Sequence, residues 1–138
     1  MIGLTNPVRE AREEPPPDPD ALGFLQLCSD RRYHMKVMEA FEEAADIGSD
    51  QYYIEARPGG APSWSDTTKM GRAAYRRGVR FMGWAGHGDR CLGFRGASND
   101  ELRSKLENVA KKRRDDFPKA AHFVIFGLGG EVELKRLG

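Results

Sequence analysis

The sequence predicts an α+β fold: a small antiparallel sheet with helices on one face. Its ferredoxin-like β-α-β-β-α-β core carries an extra C-terminal strand and is preceded by an N-terminal helix and a proline-rich arm. Three observations predict it. Residues 79–96 (VRFMGWAGHGDRCLGFRG) place two alternating runs around Gly86-His87-Gly88-Asp89, a hairpin signal because glycine admits the positive φ of tight turns. Helical patterns over 65–77 and from Ser98 to Arg114 alternate with strand patterns between Gln51 and Leu128. The nearly unbroken apolar run Ala121–Leu128 (AHFVIFGL) reads as a central strand, which Gly129-Gly130 turns into an amphipathic last strand, Glu131–Leu137. A chain of 138 residues supports one core, so the expected organisation is an arm over residues 1–20 and a single domain over 21–138.

In chain order, the arm comes first. Pro15, Pro16, Pro17 and Pro19 fix φ and remove hydrogen-bond donors, which enforces extended backbone. The apolar stretch 21–28 (ALGFLQLC) is too short for periodicity to settle its type and suits a helical turn leading into the next element. Residues 30–47 predict a helix: Ser29 or Asp30 caps it, Val37, Met38, Phe41, Ala44 and Ala45 recur at helical spacing, and Gly48 ends it. Glu39, Glu42, Glu43 and Asp46 give it an acidic outer face.

Residues 51–57 (QYYIEAR) predict a strand, closed by the breaker PGGAP. Ser65 or Asp66 caps the next helix, on which Lys69, Arg72 and Arg76 share one face. In the hairpin, Phe81 would lie opposite Phe94 on the core face. Arg80 would oppose Arg95, and Trp84 would oppose Cys91, on the other. Like charges facing each other across a ladder need a counter-anion or must splay into water. Ser98 and Glu101 form a capping box for a helix with Leu102, Leu106, Val109 and Ala110 on its inner stripe. The cations at 111–114 suit a helix C-terminus, and Pro118 prevents continuation.

The strand and helix order is shared with RNA-recognition motifs, whose third strand carries a basic-Gly-aromatic-Gly-aromatic signature. Arg90, Gly93 and Phe94 fit that signature, while Cys91 and Leu92 depart from it, and no family is assigned.

Charge distribution bounds the function. The net charge of +1 conceals −7 over residues 1–56, +9 over 57–114 and −1 over 115–138, and arginine outnumbers lysine 15 to 7. Such blocks point to a basic face with an anionic partner, or to an acidic segment docking on a basic one. Cys28 and Cys91 lie far apart with no CxxC, and the histidines His34, His87 and His122 are scattered. Neither a disulfide framework nor a metal site or other cofactor is therefore expected. No run reaches the length of a membrane span and the N-terminus lacks the apolar core of a signal peptide, so the cytoplasm is the expected location, with no membrane partner.

The leading expectation is a binding module for an anionic ligand, nucleic acid or nucleotide and phosphate. Arg72, Arg76, Arg80 and Arg95 would supply charge, and Trp84 with Tyr53 would supply stacking. One alternative is a structural or adaptor protein of a larger, virion-type assembly, meeting a protein partner or a second copy through residues 1–20 and the acidic helix 30–47. The other is a small hydrolase or nuclease using His87, Asp89 and Arg90 at the hairpin tip. The balance of these readings lies against an enzyme.

Overall fold

Three segments of this chain are apolar on both faces, which is what strands in a parallel sheet covered by helices require. The computed structural model, which describes residues 20–64, 68–91 and 93–137, shows that sheet. Its strands are β1 (Gly23–Leu27), β2 (Tyr52–Ala56), β3 (Phe81–His87), β4 (Ala121–Leu128) and β5 (Glu131–Leu137), in the spatial order β2-β1-β3-β4-β5. β1 runs parallel to β2 and β3, and β3 parallel to β4. Only β5 is antiparallel, joined to β4 by the turn at Gly129 and Gly130. All five residues of β1 are buried, as are the six at the centre of β4.

Helices cover both faces. α1 (His34–Ala45) buries Val37, Phe41 and Ala45 against Leu25, Leu27, Phe123 and Ile125. On the other face lie a short 3-10 turn (Ala61–Ser63), α2 (Lys69–Arg76) and α3 (Asn99–Asp116). There Ala74, Leu102, Leu106 and Ala110 pack with Phe24, Trp84, Val124 and Phe126. The Thr68 hydroxyl caps α2 by accepting from the Gly71 amide at 3.0 Å; the expected caps Ser65 and Asp66 lie outside the described residues. The capping box of Ser98 and Glu101 is formed, each side chain accepting from the other residue's amide. No helix among the described residues is long and apolar enough to cross a membrane. The arm, apart from Asp20, lies outside the described residues.

This mostly parallel α/β sheet overturns the antiparallel ferredoxin-like fold expected from the sequence. The segment after His87 does not return as a strand, because Asp89 and Arg90 both take left-handed backbone, φ 56° and 64°. Both edges of β3 are already occupied, by β1 and β4, and the Gly88 amide continues toward β4 by donating to the Gly127 carbonyl at 2.8 Å. Arg80 therefore does not face Arg95 across a ladder, nor does Trp84 face Cys91. The route from β3 through α3 to β4 is instead a parallel crossover. The stretch 21–28, which suited a helical turn, supplies central strand β1.

One consequence positions the site. α1 carries the chain from β1 to β2 over one face, and α3 carries it from β3 to β4 over the other, so the connections leave the carboxyl ends of β1 and β3 on opposite faces. The gap at the carboxyl ends of β1 and β3 is thus a topological switch point, where open α/β sheets leave a crevice.

Candidate metal centre

The chain places reactive side chains at that crevice. Cys28 follows the last residue of β1, His87 is the last residue of β3, and Cys91 lies at the end of the left-handed loop after it. Their ligand atoms lie within 4.8 Å of one another and all three residues are buried. His87 Nδ1 sits 2.6 Å from the Gly88 carbonyl. A carbonyl only accepts, so Nδ1 carries a proton, and Nε2 is the ring nitrogen turned toward the Cys28 sulfur, able to donate to a thiolate there or, once deprotonated, to hold a metal. Nε2 lies 3.2 Å from Cys28 Sγ.

The thiols are electrostatically linked. A hydrogen bond from Cys91 holds Cys28 well below the ordinary thiol range against the effect of burial, with further help from His87 and neighbouring amides. The same contact pushes Cys91 up. The pair thus behaves as one thiolate sharing its partner's proton. For His87, burial acts to lower the pKa, but the Cys28 contact and the Gly88 carbonyl outweigh it and raise it.

Asp30 completes the arrangement. Its Oδ2 stands 3.6 Å from His87 Nε2, and Arg32 engages both of its oxygens. The Arg32 backbone amide and Nε donate to Oδ1 at 2.9 and 3.1 Å, and Nη2 donates to Oδ2 at 2.7 Å. The Arg32 guanidinium is the main reason the Asp30 carboxyl is held down to about 2. Residues 28–33 stay outside α1, which begins at His34 rather than at Asp30.

Two thiols and an imidazole are the soft and borderline donors that zinc takes. Donors of a tetrahedral S–N pair stand roughly 3.5 Å apart, so the 3.2 Å between Cys28 Sγ and His87 Nε2 fits such an ion.

The residues predicted from sequence scatter around this centre. His87, Asp89 and Arg90 lie on β3 and its loop. Arg95, exposed, lines a cavity of about 400 Å³ together with Arg90, Cys91, Gly96 and Ala97. Arg80 donates to the Tyr75 and Val79 carbonyls at 2.9 and 2.7 Å and lies over the Tyr75 ring. Arg72 lies over Phe117, and Arg76 is exposed on α2. Arg80 precedes β3 and His87 ends it, which separates them by roughly 20 Å of strand. Trp84 is fully buried, stacked near Phe117 and His122, so it offers no platform to a base. Tyr53, half-buried on edge strand β2, packs against the core on the α2–α3 face. On α1, Glu42 accepts from the Tyr52 hydroxyl at 2.7 Å, while Glu39 and Glu43 are exposed, as is Asp46 just past the helix.

Sequence reasoning missed Cys28, Cys91, Asp30 and Arg32 as a unit. A signal was present: Cys28-x-Asp30-x-Arg32 and His87-x-x-x-Cys91 each follow directly on an apolar run. Ligands at the carboxyl ends of two parallel strands are adjacent in space whatever their distance in sequence.

No family model and no curated protein matches the sequence. Among solved structures, the fold is similar to that in the crystal structures of two tetrameric β-carbonic anhydrases from the filamentous ascomycete Sordaria macrospora, with a TM-score of 0.50 and 10% identity over 86% of this chain and 81% of that one. A β-carbonic anhydrase isoform I from the protozoan Trichomonas vaginalis aligns with a TM-score of 0.43 and 15% identity over 92% of this chain and 90% of that one. At these identities the likeness is one of fold. Together with the Cys28–His87–Cys91 group, the likeness to the Sordaria structures corrects the expected function: the anion- and nucleic-acid-binding module on a ferredoxin-like sheet is not supported.

Proposed function

We propose that the chain is a zinc enzyme of carbonic anhydrase type, hydrating carbon dioxide with Cys28, His87 and Cys91 as the metal ligands. One observation carries this reading. Three buried donors converge at the switch point while the adjacent carboxylate is withheld from them, both Asp30 oxygens being engaged by Arg32. A structural zinc site closes with four protein ligands, whereas a catalytic one keeps a position open. Zinc so held supplies Lewis acidity and brings the pKa of water near 7.

The protein's own groups do the rest. Asp30 stays ionised and therefore only accepts hydrogen bonds, so it orients a water molecule rather than taking its proton. Arg32 keeps the carboxylate in register and away from the ligand set. The Gly88 carbonyl fixes the His87 ring. The cavity beside Cys91 gives a small molecule access from solvent, and Arg90 and Arg95 at its wall attract anions to its mouth. Two thiols that must stay reduced suit a reducing compartment such as the cytoplasm.

The test is zinc analysis of purified protein with stopped-flow carbon dioxide hydration. One zinc per chain and hydration above the buffer rate, both lost in Cys28→Ser and Cys91→Ser, are expected. A zinc-loaded wild type with no hydration above buffer would overturn the proposed activity.

A further inference from the structure

The loop between His87 and Cys91 is strained and, at the same time, held from four directions. Asp89 and Arg90 are consecutive non-glycine residues at positive φ, 56° and 64°, a conformation that persists only where the surroundings enforce it. Asp89 Oδ2 accepts from the Tyr33 hydroxyl at 2.6 Å and from the Gly129 amide at 2.7 Å. Its own amide donates to Asn99 Oδ1 at 2.9 Å, and its carbonyl accepts from Arg32 Nη2 at 3.1 Å. These partners come from the segment before α1, the β4–β5 turn and the first turn of α3.

Tyr33 ties the clamp to a ligand. Its ring stacks on His87 with centroids 5.0 Å apart, and its oxygen accepts from the Gly130 amide at 3.2 Å. Space for this is built into two strand ends. A Cβ on Gly127 would lie 2.4 Å from Tyr33 Cδ1, and one on Gly88 would lie 2.4 Å from Asn99 Oδ1. Arg32, which grips Asp30, also reaches the Asp89 carbonyl, so the clamp joins the Cys28 side of the centre to the His87–Cys91 side.

We infer that Asp89 is a positioning residue: held between Tyr33 and the β4–β5 turn, it sets the left-handed loop that presents His87 and Cys91 to one ion. The inference rests on the metal-centre reading given above. Asp89 acts as a hydrogen-bond acceptor and touches no reacting atom. The residue must fulfil two requirements, left-handed backbone and an inward acceptor oxygen, and substitutions separate them. Asn meets both, because it tolerates positive φ and retains a carbonyl oxygen. Gly meets only the first.

The experiment measures zinc affinity of the full-length protein by chelator competition, and the visible spectrum of its cobalt-substituted form. Asp89→Asn is expected within about threefold of wild type, while Asp89→Gly loses about 10- to 100-fold in affinity and shows an altered cobalt spectrum. Tyr33→Phe, which keeps the ring on His87 but removes the hydroxyl, gives a smaller loss in the same direction and serves if Asp89→Gly does not fold. Wild-type affinity and spectrum in Asp89→Gly, or in Tyr33→Phe should that glycine variant not fold, would overturn the inference while leaving the metal centre standing. So would an Asp89→Asn loss equal to that of the glycine variant. A wild type that binds no zinc would overturn both.

Discussion

Two histidines lie in adjacent parallel strands, both almost fully buried and both against an aromatic ring, and only one is equipped to bind anything. His122 on β4 has no capacity left: Trp84 Nε1–H donates to its Nδ1, and its Nε2–H donates to the Phe117 carbonyl, each at 2.9 Å. His87 on β3 spends one nitrogen on a carbonyl and turns the other to the Cys28 sulfur, within 4.8 Å of which the Cys91 sulfur also lies. Their proton affinities diverge accordingly. Burial, with a contribution from the positive charge of Arg114, lowers that of His122; the Cys28 contact overcomes burial and raises that of His87. Burial alone therefore does not mark a ligand. The partner inventory of each ring nitrogen does.

The largest expected effect sharpens this contrast. His87→Ala removes a proposed zinc ligand and should lower zinc affinity by at least about 100-fold, read by chelator competition. His122→Ala leaves zinc affinity of the folded protein near wild type but orphans the Trp84 N–H and the Phe117 carbonyl and opens a cavity. It should cost about 2–4 kcal/mol of stability in urea unfolding. Zinc loss in the folded His122 variant would break the distinction.

A smaller effect concerns the withheld carboxylate. Arg32→Gln should retain zinc at one per chain while hydration falls about 10-fold, because Asp30 is no longer kept in place. Loss of zinc together with activity would mean that Arg32 acts chiefly through its hold on the Asp89 carbonyl rather than through Asp30.

The smallest effect is one of pH. His122 has a folded pKa below its ordinary value of 6.5. Its contribution to stability is therefore complete above pH 6.5 and is lost as the pH falls through the folded value. Urea unfolding of the zinc-free, reduced protein should show a steeper acid loss for wild type than for His122→Phe, with His87 common to both. Equal slopes would contradict the assignment.

Much of the secondary structure was legible in the chain, while its pairing was not. The Ser98–Glu101 box, the stripe of Leu102, Leu106 and Ala110, and the apolar run of β4 are local signals, and the structure uses each. β1 carries no such signal: GFLQL is a short apolar run whose neighbours, β2 and β3, are reached only through helices. The glycines around His87 imitate a hairpin, yet neither takes positive φ: Gly86 lies within β3, and Gly88 makes room for Asn99. What makes the segment a loop is contact with Tyr33, Asn99 and Gly129, residues distant in sequence. The candidate metal donors were hidden for the same reason. Cys28 and Cys91 have no meaningful spacing along the chain and become neighbours only when β1 and β3 align in parallel.

The most direct measurement is X-ray absorption at the zinc edge of the metal-loaded full-length protein. Two sulfurs at about 2.3 Å and two lighter N/O atoms at about 2.0–2.1 Å are expected, from Cys28, Cys91, His87 and one non-sulfur position. A shell of nitrogen and oxygen alone, or no stoichiometric zinc to measure, would contradict the account.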